Sequence, residues 1–223
     1  MIKGLVFDLD GTLIDIADYI SIFTELQIKA LRNCNGNKTI KLGTKECYEP
    51  LRLPLEESNR LLKNIWNVNP EKYWKEVFKL DIEARRKAIK DNNLRCFEDV
   101  SVLHELKNRF KIALFSNSPK EIIELELDTF KISDIFPIRF SGFYKCDISK
   151  PESKGIMLLL KKLGLLPQEA VMIGDSDIDI ALGKNSGMKT IRIDRGHYFY
   201  GGEEPDFVIR NLNELKGILD EMQ

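Results

Sequence analysis

The chain alternates short apolar runs with longer amphipathic stretches. The apolar runs are brief, rich in β-branched and aromatic residues, and stopped by Asp, Gly, Ser or Asn, which is typical of strands buried on both faces. They predict strands at 2–7, 111–115, 170–174 and 189–193, with weaker strands at 137–141 and 206–209. Apolar residues spaced by three and four positions predict helices at 99–109, 119–130, 152–163, 177–186 and 212–221. This alternation predicts an α/β fold, a Rossmann-like parallel sheet with helices on both faces.

One long segment, residues 16–90, departs from that alternation and is mostly helical by its pattern. Its apolar positions fall into three groups that each suit one face of a helix. The groups are Ile16, Ile20, Phe23, Ala30 and Leu31; Leu61, Leu62, Ile65 and Trp66; and Tyr73, Trp74, Val77 and Phe78. We therefore predict a core domain formed by residues 1–15 and 95–223, and a small helical domain at 16–94 inserted after the first strand.

Composition narrows the class of protein. Hydrophobic residues make up 43% of the 223 residues and charged residues 31%, which suits a packed globular chain. The 34 basic and 35 acidic residues give a net charge of -1, so there is no electrostatic reason to expect nucleic acid or an anionic membrane as partner. No stretch approaches the ~18 apolar residues that a spanning helix needs. The four cysteines are dispersed without a CxxC pair, which indicates free thiols, and we predict a cytoplasmic protein.

The strongest chemical signal directly follows the first predicted strand, as Asp8-Leu9-Asp10-Gly11-Thr12. Ligands of open parallel sheets bind beyond the carboxyl ends of the strands. Two carboxylates two residues apart can face the same crevice, and Gly11 allows a tight turn that brings its N–H near a ligand. A dense acidic cluster at the end of a buried strand therefore indicates a functional site.

Three further groups approach the same predicted edge. Ser116-Asn117 follows the strand at 111–115, Lys150-Pro151 precedes a helix, and Gly174-Asp175-Ser176-Asp177-Ile178-Asp179 follows the strand at 170–174. Each has a plain structural explanation: a helix N-cap, a surface lysine and an acidic first helical turn. Their joint occurrence in this order favours a shared chemical role.

Together these four groups resemble the motifs of the haloacid dehalogenase superfamily of hydrolases, in its phosphatase branch. The resemblance covers the predicted core, and the helical insertion resembles the family's cap placed after the first motif, as in phosphoglycolate phosphatase-like members. It implies a phosphatase that forms an aspartyl-phosphate intermediate. Asp8 is then the nucleophile, and Asp10 is the acid that protonates the leaving alcohol and the base that activates water.

The same resemblance implies one cofactor, Mg²⁺, and assigns the remaining positions. Repulsion between carboxylates and a phosphate dianion calls for a cation, and Mg²⁺ prefers oxygen ligands. The implied ligands are Asp8, Asp10 through its main-chain carbonyl, Asp175, and Asp179 directly or as their support. The implied phosphate-binding residues are Gly11, Ser116, Asn117 and Lys150. The implied partner is a small phosphorylated metabolite.

Other functions remain open at this stage. Asp10 argues against a dehalogenase, in which no alcohol needs a proton, but sugar phosphomutases of the superfamily also keep it. Those usually resemble Gly-Val where this chain has Gly11-Thr12, and phosphoserine phosphatases usually have serine in place of Gly11. A non-catalytic phosphate-binding regulator is the second alternative, after the phosphomutase, although every chemical position is intact.

The family resemblance implies that the helical domain selects the substrate. Lys45 and Arg52 are the candidate contacts there, while Arg85-Arg86-Lys87 is interpreted as a solvated helix face. The expected substrate is a small phosphate ester such as phosphoglycolate or a related acid or sugar.

Overall fold

The computed structural model describes residues 1–35, 55–143, 147–196 and 202–222. They form two compact units: residues 1–15 with 95–143, 147–196 and 202–222, and residues 16–35 with 55–94. The strands are β1 (Gly4–Phe7), β2 (Ile14–Asp15), β3 (Arg95–Cys96), β4 (Lys111–Ser116), β5 (Ile138–Ser141), β6 (Ala170–Gly174), β7 (Lys189–Ile193) and β8 (Phe207–Ile209). The α-helices are α1 (Ile20–Asn35), α2 (Leu55–Trp66), α3 (Pro70–Lys90), α4 (Leu103–Leu106), α5 (Lys120–Thr129), α6 (Ser153–Leu163), α7 (Asp177–Asn185) and α8 (Leu215–Glu221).

The first unit is built on a six-stranded sheet in the order β5-β4-β1-β6-β7-β8, and all its neighbouring strands are parallel. Strand β1 is central, with Val6 opposite Ala113 on one side and Met172 on the other. Its four residues are all buried, and both alternating sets of side chains along the central strands are inside, so both faces of the sheet are covered. The predicted α/β fold with a parallel sheet is confirmed.

One face of that sheet packs on α6 and α7. The core there joins strand residues such as Val6, Phe115 and Met172 to Ile156 and Leu160 of α6. Helix α6 ends at Gly164, whose φ of 64° is in the left-handed region that favours glycine at a helix end. Because β1 pairs in parallel with β4 and β6, the carboxyl ends of the three strands lie at one edge of the sheet.

A separate two-stranded antiparallel pair was not predicted from the sequence. Strands β2 and β3 pair Ile14 with Cys96 and Asp15 with Arg95, and Arg95 also donates to Asp15 Oδ2 at 3.1 Å. The two strands are too short to show any periodicity in the sequence. The chain therefore leaves the first unit and returns to it at adjacent positions.

The second unit packs α1, α2 and α3 around an apolar cluster that includes Leu31, Leu62, Trp66 and Tyr73. Helix α3 begins with Asn69 as N-cap, whose side chain accepts from the Lys72 N–H, and with Pro70 in its first turn. Ile65 was predicted on the apolar face, but its side chain is exposed. Leu62 and Trp66, four residues apart, take the inner face of α2, and Ile65 falls beside it.

The predicted helix at 99–109 was wrong in form. A 3₁₀ helix covers Glu98–Val102, followed by the single α-turn of α4. Val100, Leu103 and Leu106 are buried as an apolar face would be, so the pattern identified the packing correctly. The two valines lower the α-helix propensity of this segment, and short 3₁₀ turns are frequent at the ends of α-helices.

No helix in the described ranges is both long enough and apolar enough to cross a membrane.

Candidate active site

The strand order reverses beside β1, and the predicted chemical residues gather at that point. Strand β1 is followed by Asp8, β4 ends at Ser116, and β6 is followed by Asp175. These three residues are all buried. A crevice at the carboxyl ends of strands, where the order reverses, is the usual ligand site of an open parallel sheet.

Lys150 lies at the centre of the site. Its Nζ is 2.6 Å from Asp8 Oδ1 and 2.6 Å from Asp179 Oδ1, and only 4% of its side chain is exposed. Asn117 fixes the main chain of this lysine, because the Asn117 amide donates to the Lys150 carbonyl at 3.2 Å and accepts from its N–H at 2.9 Å. The side chain of Asn117 therefore positions Lys150, a role that the sequence did not indicate.

Asp179 has a structural and an electrostatic role at once. Its Oδ2 accepts from the Ser176 hydroxyl at 2.5 Å and from the Ser176 N–H at 3.2 Å, which completes a capping box at the start of α7. Its Oδ1 accepts from Lys150. Since both oxygens are engaged, Asp179 acts in this structure as the residue that orients Lys150.

Negative charge exceeds positive charge in this cluster. Asp8, Asp175 and Asp179 each bring a carboxylate oxygen within 4.8 Å of the others, and Lys150 supplies one positive charge. Burial raises the pKa of Asp8 to about 7, with a further rise from Asp179 and an opposing effect from Lys150. Burial, followed by Asp8 and Asp179, raises the pKa of Asp175 well above its usual range. Burial acts to lower the pKa of Lys150, but Asp179 and Asp8 outweigh it and raise that pKa above its usual range.

Asp175 shows that the cluster suits a cation. Its Oδ2 is buried and has no hydrogen-bond partner within the described ranges, while its Oδ1 lies 3.5 Å from the Thr12 hydroxyl. An unpaired buried carboxylate oxygen is unfavourable unless a proton or a cation is present. Three carboxylates offer only oxygen ligands, and a divalent ion would neutralise the excess charge, so the residues fit Mg²⁺.

Gly11 is required by the geometry of the turn after β1. Its φ is 75°, and a Cβ built on it would lie 2.1 Å from Asp175 Oδ2. Its N–H donates to the Ile14 carbonyl at 2.8 Å, and the phosphate-binding role predicted for Gly11 stays a prediction. Gly11 serves the site by letting Asp175 approach the turn.

Gly11→Ala should weaken Mg²⁺ binding by at least roughly 10-fold, because the added methyl displaces Asp175 and strains a left-handed residue by about 1–2 kcal/mol. Calorimetric titration with Mg²⁺ and urea denaturation measure the two effects. Gly217→Ala in α8 is the matched control, since a Cβ there meets nothing within 4 Å and should stabilise the helix slightly. Equal Mg²⁺ affinity in both variants would contradict the role given to Gly11.

Asp10 is held by a residue outside the predicted set. The Ser118 hydroxyl donates to Asp10 Oδ2 at 2.8 Å, and the Ser118 N–H donates to Ser116 Oγ at 3.0 Å. Ser118 could be expected to cap the following helix, but α5 has Pro119 at that position without a side-chain cap. Its contact with Asp10 joins segments far apart in sequence, and no local pattern signals it.

The predicted contacts in the helical segment have different outcomes. Lys45 and Arg52 lie outside the described residues. Arg85 was expected on a solvated face, but it is buried and its Nε is 3.2 Å from Asp81 Oδ1, which also accepts from the Tyr19 hydroxyl at 2.5 Å. The basic run hides this pairing because Asp81 lies one helical turn earlier, on the inner face of α3.

A family model described as haloacid dehalogenase-like hydrolase matches residues 5–193. The phosphoglycolate phosphatase of Aquifex aeolicus is 28% identical over 224 residues, an alignment that covers 98% of this chain and 97% of that protein. Pyrophosphatase PpaX of Halalkalibacterium halodurans is 27% identical, with coverage of 98% and 97%.

Among solved structures, one from Haemophilus somnus, described as a predicted phosphoglycolate phosphatase, superimposes with a TM-score of 0.73. It is 17% identical, and the match covers 98% of each chain. At this identity the likeness shows that the fold is shared. The family resemblance stated from the motifs is confirmed.

Proposed function

The chain belongs to the family of haloacid dehalogenase-like hydrolases, and we propose that it is a Mg²⁺-dependent phosphatase that hydrolyses a small phosphomonoester through an aspartyl-phosphate. The observation that carries this proposal is the placement of Asp8, Lys150 and Asp175 at one strand edge, beside Asp10 on the same turn. A nucleophile, a cation, a metal-ligand carboxylate and an acid/base residue are the groups that phosphoryl transfer needs.

In the first step, an Asp8 carboxylate oxygen attacks phosphorus and the bond from phosphorus to the leaving oxygen breaks. Asp10 gives its proton to that oxygen, so the product leaves as an alcohol. The Ser118 hydroxyl, 2.8 Å from Asp10 Oδ2, holds the carboxyl group during this transfer. Lys150 places its positive charge beside both the nucleophile and the transferring group.

In the second step, Asp10 accepts a proton from water as the water oxygen attacks phosphorus. The bond between Asp8 and phosphorus breaks, which releases inorganic phosphate and restores the Asp8 carboxylate. Two displacements replace one difficult attack of water on a dianion.

Asp8, Asp175 and the Asp10 main-chain carbonyl would hold Mg²⁺, with Asp179 as their support. The ion supplies charge neutralisation, which favours the ionised form of Asp8 and reduces its repulsion of phosphate. The Ser116 hydroxyl and Lys150 would bind the phosphoryl oxygens. In this proposal residues 16–94 are the cap that selects the leaving group, with Lys45 and Arg52 as its candidate contacts.

Pyrophosphate is a second candidate substrate, beside the proposed phosphomonoester. The Aquifex relative is named for phosphoglycolate and the Halalkalibacterium relative for pyrophosphate, and the two are almost equally similar to this chain. A glycolate alkoxide is a far poorer leaving group than phosphate and depends much more on a proton from Asp10. The two substrates should therefore differ in how strongly their rates of reaction depend on Asp10.

Asp10→Asn should lower kcat for 2-phosphoglycolate by roughly 10²–10⁴-fold, the contribution of general acid–base catalysis. The formation of aspartyl-phosphate from pyrophosphate should fall much less, because its leaving group needs no proton. Phosphate release from a panel of esters and pyrophosphate, with and without Mg²⁺, measures steady turnover, and rapid quench measures the first step.

The panel separates the other functions as well. If a sugar phosphate is isomerised when a sugar bisphosphate is added, the protein is a phosphomutase and the proposed phosphatase function is wrong. No release from any substrate by folded protein with Mg²⁺ would refute hydrolysis of these compounds and favour the non-catalytic phosphate-binding protein.

A further inference from the structure

Arg195 is a cation outside the acidic cluster, and its side chain is largely shielded from solvent. It lies two residues beyond the end of β7, and only 7% of its side chain is exposed. Its Nη1 donates to Asp99 Oδ2 at 2.7 Å and its Nη2 to Asp99 Oδ1 at 2.9 Å, a two-pronged pair of the kind that fixes guanidinium orientation. The Phe97 ring lies under the guanidinium, 3.8 Å from Arg195 Cζ to the ring centroid.

A third contact of Arg195 reaches the turn that carries the nucleophile. Its Nη2 also donates to the Thr12 carbonyl at 3.0 Å. On the inside of the same turn, the Leu9 carbonyl accepts from the Thr12, Leu13 and Ile14 N–H groups at 3.3, 2.9 and 3.1 Å. The Leu9 carbonyl therefore closes the turn through its own main chain, and Arg195 binds the same turn from another segment. Leu9 lies between Asp8 and Asp10 in the sequence.

Asp99 and Phe97 are themselves fixed to other segments. Asp99 Oδ2 accepts the Leu212 N–H at 2.9 Å, and the Phe97 N–H donates to the Leu13 carbonyl at 3.0 Å. The pair therefore ties the turn to the segment after β3 and to the segment after β8. A buried ion pair contributes little net stability compared with apolar packing, so its main effect here is on where it holds Thr12.

We propose that Arg195, oriented by Asp99, is a positioning residue that sets the location of Asp8 and Asp10 through the Thr12 carbonyl. The catalytic part of this proposal rests on the proposed phosphatase activity, but the positioning part does not. A displacement of about 1 Å in a reacting group can cost roughly 100-fold in rate, which gives the contact its functional weight.

Amide hydrogen exchange of the metal-free protein tests the positioning directly. In Arg195→Met, the Gly11, Leu13 and Ile14 amides should exchange at least 10-fold faster relative to amides of β6 than in the wild type. Leu219→Ala in α8 is the control, since it removes part of a buried side chain that is distant in sequence from the turn. It should speed amide exchange in the turn and in β6 by similar factors. Asp99→Asn/Arg195→Met avoids an unpaired buried carboxylate and serves if the single variant does not fold.

Kinetics of the Mg²⁺-loaded enzyme test the catalytic consequence. Arg195→Met should lower kcat about 10–100-fold with KM changed less than about 3-fold, because the turn and not the substrate is displaced. Arg195→Lys should recover part of kcat, since one donor can still reach Thr12. Leu219→Ala should keep the kcat of the wild type.

Exchange in Arg195→Met that is no more local than in Leu219→Ala would overturn the proposal, and so would an unchanged kcat in an active enzyme. Faster local exchange in a protein that releases no phosphate from any substrate would support the positioning role while refuting the phosphatase. The failure of one proposal is thus distinguishable from the failure of the other.

Discussion

Asp8→Asn is expected to lower kcat/KM for phosphate release by about 10⁴-fold or more, because a neutral amide cannot form the acyl phosphate. Asparagine keeps the size of the side chain, so the loss is chemical. Single-turnover assays with mass spectrometry should also show a phosphorylated intermediate in the wild type and none in the variant. Phosphate release that persists in variant protein of verified mass would remove Asp8 from the role of nucleophile.

The same substitution has a second readout in the metal-free protein. Asp8 has a folded-state pKa of about 7 and an ordinary value of 3.8, so its protonated form is favoured by folding. Its contribution to stability is complete below about pH 4 and is lost as the pH rises to about 7. At pH 8, the free energy of unfolding of Asp8→Asn should therefore exceed that of the wild type by up to about 4 kcal/mol, and the difference should be smaller at pH 5. Urea denaturation measures it.

Asp220→Asn is the matched control for both readouts of Asp8→Asn. Asp220 is 62% exposed and pairs with Arg109 on the surface, so removing its charge should change stability by less than about 1 kcal/mol at either pH. Its phosphate release should equal that of the wild type. A wild type whose metal-free stability does not fall between pH 5 and pH 8 would contradict the raised pKa of Asp8.

Lys150→Met is expected to be damaging to both activity and stability. The lysine carries the positive charge that faces Asp8 and Asp179, and methionine keeps most of its apolar length. Loss of a preorganised cation at the phosphoryl group should lower kcat/KM by roughly 10²–10³-fold. Leaving two buried carboxylates without their partner should lower the free energy of unfolding by about 3–5 kcal/mol at pH 8.

The loss of stability in Lys150→Met should shrink at pH 5, below the raised pKa of Asp8, because the Asp8 carboxylate can take up a proton instead. Lys154→Met is the control, because Lys154 lies in the first turn of α6, the helix that follows Lys150, and forms an exposed ion pair with Asp147. Loss of this pair should lower the free energy of unfolding by less than about 1 kcal/mol. Steady-state kinetics and urea denaturation at both pH values measure the effects. Equal behaviour of the two variants would show that Lys150 is not part of the catalytic cluster.

The sequence predicted the parallel sheet well because its strands are short, wholly apolar and stopped by residues that strands avoid. The alternation of burial is lost in such strands, but their position between amphipathic helices is not. It predicted the segment at 99–109 poorly, since an apolar face at Val100, Leu103 and Leu106 is compatible with both a 3₁₀ and an α-helix.

The candidate site was predictable as far as strand ends determine it. Asp8, Ser116 and Asp175 lie together because parallel strands end at one edge, and this follows from their positions in sequence. The contacts of Asn117 with Lys150, of Ser118 with Asp10 and of Arg195 with Thr12 join distant segments, and their partners depend on side-chain geometry.

The pairing of β2 with β3 has a consequence for how such chains diverge. Because Asp15 and Arg95 lie opposite each other, the intervening segment begins and ends at neighbouring points. The entropy of closing a loop grows only with the logarithm of its length, so each doubling of the segment costs roughly 0.6 kcal/mol more. An exchange of residues 16–94 for a shorter or longer module would leave the strand pairing intact. If the proposed function is correct, substrate range can then evolve in the insertion while the proposed phosphoryl chemistry stays in the sheet.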